Sequence, residues 1–377
     1  MGSLRSARPD PGVLATFVGL LAFGLCMVWS ASTPTSVHWG HGIFHVLRSQ
    51  GLFALASCVL AVLFFAGARK PTFVRLVNSS YVLIAAVTCV TQWIGVKTLG
   101  ATRWIQIGSM TLQPSELLKP MMVLWVAKRC LEPHDTPRAI FLTTAGLLVP
   151  LGAVIVGQSD LGTGLCLAAG AFITGAMAGM PLWIVLGTLS CGLAGVGAIF
   201  LGGGYRATRI HEWLQIGKDH PGPPTQAEQS LMAIGHGGLL GEGWGLGTQK
   251  FGHLPIAHTD FIFAIVAEEF GYLGGVLLIA TYLFLVVRAL HLARRVEDPF
   301  ARAAIVGLAG GITCQALLNI GVAVALLPVT GVPLPFISLG GSSMLGGCIS
   351  IGLCLGLAAR SERRRKARAP FATEETA

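Results

Sequence analysis

The stretch HTDFIFAIVAEEFG, residues 258 to 271, places His258, Thr259 and Asp260 directly before an apolar run that then carries Glu268 and Glu269. A carboxylate at such a boundary can act as a general base. It can also accept hydrogen bonds from the first free amides of the helix that the run begins. Spacing alone favours that capping role for Asp260, because caps are common at helix starts. Glu268 and Glu269 lie eight and nine residues further on, about 12–13 Å along a helix. They are too distant to share a proton with Asp260. Buried there, they require protonation or cationic partners, and they read as a pair that fixes helix packing.

Other ionisable residues fall inside or beside apolar runs. Glu116 and Lys119 follow Pro114 at a spacing of three. Pro114 suits a first helical turn, Glu116 suits the positive end of the helix dipole, and an ammonium at Lys119 is satisfied by Glu116. Asp160 in QSDLGTG is placed to cap the next helix. Arg103, Arg206 and Arg209 lie outside that pattern; they are either solvated or a cluster whose guanidinium forks match phosphate oxygens. His211, His236, His253 and His258 share one long loop, but no pair has helical ligand spacing, which argues against a metal site of side-chain ligands.

The elements that position these groups are membrane helices. Of 377 residues, 53% are hydrophobic and 11% charged, with a mean hydropathy of +0.70; a soluble domain carries about a quarter charged residues. Fifty glycines suit close helix packing in lipid. Apolar runs long enough to cross a bilayer are centred near residues 22, 59, 87, 123, 148, 170, 191, 273, 313 and 349, which predicts about ten transmembrane helices. Strand alternation is nowhere sustained, so the expected class is an all-α polytopic membrane protein rather than a β-barrel. Arg5 and Arg8 precede a first run that is long for a signal peptide and reads as a span.

With the N-terminus inside, only Arg48, Lys97, Arg103, Lys119, Arg206, Arg209, Lys218 and Lys250 of the 26 Lys and Arg residues fall off the inner segments. The positive-inside rule therefore predicts cytoplasmic N- and C-termini. The expected layout is an N-terminal tail 1–12, one membrane domain 13–360 and a basic C-terminal tail 361–377. A net charge of +9 then records topology and contact with anionic lipid, and points away from nucleic acid. The nine cysteines lie in spans or at a cytoplasmic end, so no disulfide is expected.

Polar chemistry concentrates in the outer segments. The first, TPTSVHWGHGIFHVLRSQ, carries Trp39 and Phe44 and suits an interfacial amphipathic segment. The longest runs from about 202 to 258, between helices 7 and 8, with a short helix expected around Thr225 to Gly235 after PGPP. Its tract GHGGLLGEGWGLGTQ is glycine-rich, but no strand precedes it and its spacing matches no nucleotide-binding pattern. It reads as flexible backbone near the bilayer.

Several segments together resemble the SEDS family (shape, elongation, division and sporulation), the group of FtsW, RodA and the sporulation protein SpoVE. They are GLCMVWSAS, GATRWIQIGSMTLQPSELLKP, QSDLGTG, YRATRI, QSLMAIGHGGLLGEGWGLGTQ, LPIAHTDFIFAIVAEEFGYLGG and LLPVTGVPLPFISLGGSS. The resemblance covers about residues 13 to 360. Departures from the family pattern are Ile256, Ser159, Leu339 and His236, and none of them removes a motif acid or arginine.

The resemblance implies a ten-span peptidoglycan glycosyltransferase that polymerises lipid II outside the bacterial cytoplasmic (inner) membrane. It makes Asp260 the essential residue, against the capping role that spacing alone favours. It also implies Arg103, Glu116, Lys119, Asp160, Arg206, Arg209, Gln229 and His258 as supporting residues, and a class B penicillin-binding protein as transpeptidase partner within the division or elongation machinery. The chemistry agrees. An attacking sugar hydroxyl must lose a proton, which suits one carboxylate base. The undecaprenyl pyrophosphate leaving group needs charge neutralisation, from Arg, from Lys or from a divalent cation such as Mg or Mn, and no protonation. Direct attack inverts the anomeric centre, and the paired carboxylates of glycoside hydrolysis are not required. GLCMVWSAS, ATRWI, QSLMAIG, the Gln249–Lys250 pair and the motif before Asp260 look more like FtsW; LLPVTGVPLP looks more like RodA. FtsW is favoured. The competing functions are a lipid II flippase or other transporter, which intramembrane acids also suit, and a non-enzymatic scaffold of division proteins.

Overall fold

The computed structural model describes residues 9–372 except 39, 41, 99–100, 109, 133–135, 219–222, 252–257 and, between 182 and 204, positions 182, 185, 189, 191, 193, 195–196 and 198–204. Among the described residues, eight helices are long and apolar enough to cross a membrane. They lie in α1 (Pro11–His38), α2 (His45–Ala68), α3 (Phe73–Ile94), α5 (Pro137–Gly152) with the π-helical turn Ala153–Gly157, α6 (Leu161–Ala178), α9 (Ile262–Arg294), α10 (Pro299–Ala323) and α11 (Gly341–Ala372). They coincide with eight of the ten expected spans. The fourth expected span is α4 (Pro114–Arg129), and the seventh, near residue 191, falls mostly outside the described residues.

Helix α4 has 16 residues, about 24 Å of rise against a hydrocarbon core of about 30 Å. Its sequence compensates at both ends. Pro114 occupies the first turn with Glu116, and Lys128 and Arg129 occupy the last, each charge opposing the helix dipole. Every residue from Pro114 to Ala127 except Leu117 and Lys119 is buried. This short helix therefore forms the interior of the bundle, packed by α3, α6, α10 and α11, while α11 lies along α2.

Four features depart from the sequence expectation. Residues 96–112 form a small antiparallel sheet, β1 (Val96–Thr98), β2 (Ala101–Ile107) and β3 (Met110–Leu112), in the order β1-β2-β3. Its seven-residue centre, ATRWIQI, is followed directly by Gly108, which supplies a positive φ of 62°. The first outer segment is mostly absorbed into helix ends, because α1 runs to His38 and α2 starts at His45; Trp39 lies outside the described residues. The long loop contains two helices, α7 (Tyr205–Leu214) and α8 (Gln226–His236). Only α8 is expected, and it begins in a reciprocal capping box between Thr225 and Glu228.

The glycine-rich tract is not loose backbone. Helix α9 breaks at Gly271, which sits at φ 69° and ψ −171°. The break leaves backbone groups that residues 238–243 satisfy. The Tyr272 and Leu273 amides donate to Gly238 O (2.8 Å) and Leu239 O (3.2 Å). The Glu242 and Gly243 amides donate to Glu268 O (3.0 Å) and Glu269 O (3.1 Å). Irregular backbone at membrane depth is tolerated where protein covers it in this way.

Candidate active site

Asp260 lies two residues before α9, and Phe261 takes the N-cap position. The capping reading thus assigns the cap one residue too early. What holds Asp260 is a clamp on its backbone. The Leu339 amide donates to His258 O (2.9 Å), the Ser338 hydroxyl to Thr259 O (2.5 Å), and the Asn319 side-chain amide to Asp260 O (2.8 Å). Three successive carbonyls are fixed from α10 and from the segment 324–340 that joins α10 to α11. Burial lowers the His258 pKa below its ordinary value, which favours the neutral imidazole.

The joining segment runs between Asp260 and the start of α6. A Cβ added at Gly331 (φ 72°) would lie 3.8 Å from Asp260 Oδ2, and one added at Gly162 would fall 2.2 Å from Val332 Cγ2. Asn319 also donates to Val332 O at 2.8 Å, so one amide holds both the segment and the aspartate backbone. One turn earlier on α10, Gln315 donates to Pro333 O (2.9 Å) and accepts from Lys119 Nζ (2.7 Å). Lys119 in turn reaches both Glu116 oxygens, at 2.8 and 2.7 Å. The Glu116–Lys119 pair is therefore present as the spacing requires. It connects through one face of α10 to the clamp around Asp260, and it lines a small cleft with Cys166, Gln315, Pro335 and Ser343.

Asp160 is the N-cap of α6. It accepts from the Thr163 amide (3.0 Å) and hydroxyl (2.9 Å) and from Gln113 Nε2 (3.0 Å). Arg103 donates to Gln158 O (3.1 Å) and Ser159 O (2.5 Å), with its guanidinium 3.6 Å from Asp160. Much of that guanidinium is thus committed to the turn before α6. Arg206 and Arg209 belong to α7 by backbone, and their side chains lie outside the described residues, as does Ile256. Gln229 on α8 has a buried Oε1 without a hydrogen-bond partner.

Glu268 and Glu269 do not join Asp260. Glu269 Oε1 accepts from Lys250 Nζ (2.6 Å) and the Ser30 hydroxyl (2.5 Å). The Lys250 and Glu269 side chains are 2% and 0% exposed, so the pair is fully inside protein. Lys250 therefore breaks the positive-inside pattern because it neutralises a buried acid. Glu268 Oε1 accepts from the Thr248 and Gln249 amides, at 2.7 and 3.0 Å.

Sequence reasoning passed over Gln113, Gln315, Asn319 and Ser338, which carry most of the hydrogen bonds around the site. A signal existed: Gln315 and Asn319 lie four apart inside an otherwise apolar helix, hence on one face.

The whole chain has known relatives. The family model for the cell cycle proteins FtsW, RodA and SpoVE matches residues 12–363. A protein named "Probable peptidoglycan glycosyltransferase FtsW" from Trichlorobacter lovleyi is 34% identical over 366 residues, covering 94% of each chain. Stage V sporulation protein E of Bacillus subtilis is 33% identical over 361 residues, 93% of this chain and 97% of the relative. Among solved structures, a chain of a peptidoglycan synthase complex that coordinates polymerization and crosslinking is similar at a TM-score of 0.75 and 26% identity, covering 94% of this chain and 98% of that one. The rod shape determining protein RodA of Thermus thermophilus is similar at 0.69 and 25%, covering 94% and 97%.

Proposed function

Because the chain belongs to the FtsW, RodA and SpoVE family of cell cycle proteins, it is a peptidoglycan glycosyltransferase of division or elongation, and we propose that it polymerises lipid II with Asp260 as general base. The observation that carries the assignment is the clamp on the carbonyls of His258, Thr259 and Asp260. A base that works by position needs its backbone fixed, and this one is fixed from two other elements. The acceptor sugar hydroxyl gives its proton to the Asp260 carboxylate as the oxygen attacks the anomeric carbon of the lipid-linked donor. Undecaprenyl pyrophosphate leaves from the opposite side, and the configuration inverts. Arg103, Arg206 and Arg209, or a divalent cation such as Mg or Mn, offset the charge on the leaving pyrophosphate. Glu116, Lys119, Asp160, Gln229 and His258 hold the surrounding backbone and cavity.

The reaction belongs on the outer face of the bacterial cytoplasmic membrane, with both termini inside. A class B penicillin-binding protein is the fitting transpeptidase partner, as the solved synthase complex couples polymerization to crosslinking. The FtsW type, and with it a division role, is favoured by relatives of that name at 33–34% identity.

The test is purified protein with its transpeptidase partner and labelled lipid II, wild type beside Asp260→Asn. Glycan strands from the wild type and none from a folded Asp260→Asn support the reading. Wild-type turnover by that variant overturns the base, and lipid movement across vesicles without polymer identifies a transporter instead.

A further inference from the structure

Three ligand-type side chains converge where the long loop docks on the broken helix. A donor nitrogen of His236 and carboxylate oxygens of Glu242 and Glu268 all lie within 4.8 Å of one another. They come from different elements: His236 ends α8, Glu242 lies in the glycine-rich tract, and Glu268 is in the first half of α9. Backbone contacts set all three. The Glu242 amide donates to Glu268 O at 3.0 Å, and Gly237 packs so closely on α9 that a Cβ would fall 1.9 Å from Ala267 O.

Glu268 supplies the independent signal. Its side chain is fully buried, Oε1 is saturated by Thr248 and Gln249, and Oε2 has no hydrogen-bond partner. A Cβ at Gly247 would come within 2.7 Å of that oxygen, so only glycine leaves the space beside it free. A buried carboxylate oxygen without a donor is costly. A cation at the cluster removes that cost.

We propose that His236, Glu242 and Glu268 form a divalent transition-metal site that pins the glycine-rich tract to α9. One imidazole and two carboxylates suit Mn²⁺ or Zn²⁺, whereas Mg²⁺ and Ca²⁺ favour oxygen-only sets. Ligands about 2.1 Å from an ion stand at most about 4.2 Å apart, so small side-chain rotations close the cluster. Three protein ligands leave coordination positions for water. The ion is distinct from any cation at the leaving pyrophosphate, because Glu268 lies eight residues beyond Asp260, about 12 Å along the helix. Its role is to hold the loop, and through the loop the helix that presents Asp260.

The full chain, purified in detergent and stripped with a chelator, is titrated with CoCl₂, followed by visible absorption, and with MnCl₂, followed by loss of the aqueous Mn²⁺ magnetic-resonance signal. Wild type and Asp260→Asn should each take up one equivalent. His236→Ala and Glu242→Ala, at exposed positions that tolerate truncation, should keep the helical dichroism of the wild type and bind at least ~10-fold more weakly. No stoichiometric uptake by the wild type overturns the site. So does unchanged affinity in both alanine variants, or loss of the ion in Asp260→Asn alone. No turnover is measured, so failure here is separate from failure of the polymerase reading.

Discussion

Asn319 divides its side-chain amide between two backbone carbonyls, Asp260 O and Val332 O, each at 2.8 Å. One side chain on α10 thus ties the Asp260 backbone to the segment that faces it. Asn319→Leu keeps the branched side-chain shape, with bulkier methyl groups, and removes both donors. Each carbonyl then loses this donor, at about 1–3 kcal/mol where it is buried, and the Asp260 backbone is less constrained. A misplacement near 1 Å costs about 10²-fold in rate. The expectation is a comparable loss in kcat with KM changed only a few-fold, measured by strand synthesis from labelled lipid II. An unchanged kcat in a destabilised variant would reduce Asn319 to a structural role.

His258 makes stability pH-dependent. Burial lowers its pKa in the folded chain, so the unfolded chain binds the proton first as pH falls. Stability therefore declines below about pH 6.5, and this contribution levels off once pH drops beneath the folded-state pKa. His258→Gln should flatten that part of the curve. Thermal unfolding of both proteins between pH 8 and 5 measures it, and parallel curves would refute it.

The spans and the acids were legible in the sequence because both follow from local cost. A run of about 20 apolar residues has few alternatives to crossing a bilayer, and an acid inside one must have a reason. Glu116–Lys119 was legible because both partners lie on one helix. Glu269–Lys250 was not, since its halves come together only when the loop fills the break at Gly271. The sheet at 96–112 was hidden by its short strands. The His236–Glu242–Glu268 cluster escaped a search for helical ligand spacing because its members lie on three elements. Asn319 and Gln315 are neutral, so a reading led by charge passes over the two side chains that tie the site together.

The break in α9 requires glycine. Gly271 has a φ of 69°, and a Cβ there would meet Gly241 N at 2.4 Å and Leu239 O at 2.5 Å. Extended backbone at positive φ is essentially confined to glycine and costs a residue with a Cβ about 1–3 kcal/mol, and the clash is with backbone that cannot rotate away. Gly271→Ala should lose more than about 2 kcal/mol and separate the loop from α9, read as faster proteolysis at 238–250. Gly67→Ala, in a helix with no atom within 4 Å of the new carbon, should be neutral or stabilising by up to about 1 kcal/mol. Equal behaviour of the two variants would show that the loop does not lock the break.

The Glu116–Lys119 pair separates a structural role from a functional one. Lys119→Met leaves the Glu116 carboxylate buried without its cation, and such a loss costs about 3–5 kcal/mol. Glu116→Gln leaves the ammonium with Gln315 as its remaining partner. In the double variant no charge is buried, so stability should recover to well above the sum of the single losses, as unfolding in detergent will show. Activity should not recover. Without Lys119 Nζ, Gln315 Oε1 loses its donor. The Gln315 amide that holds Pro333 O is then less constrained, and the segment facing Asp260 loosens with it. Restored stability with strand synthesis still depressed assigns the pair to positioning the site, and recovery of both confines it to packing α4 in the bundle.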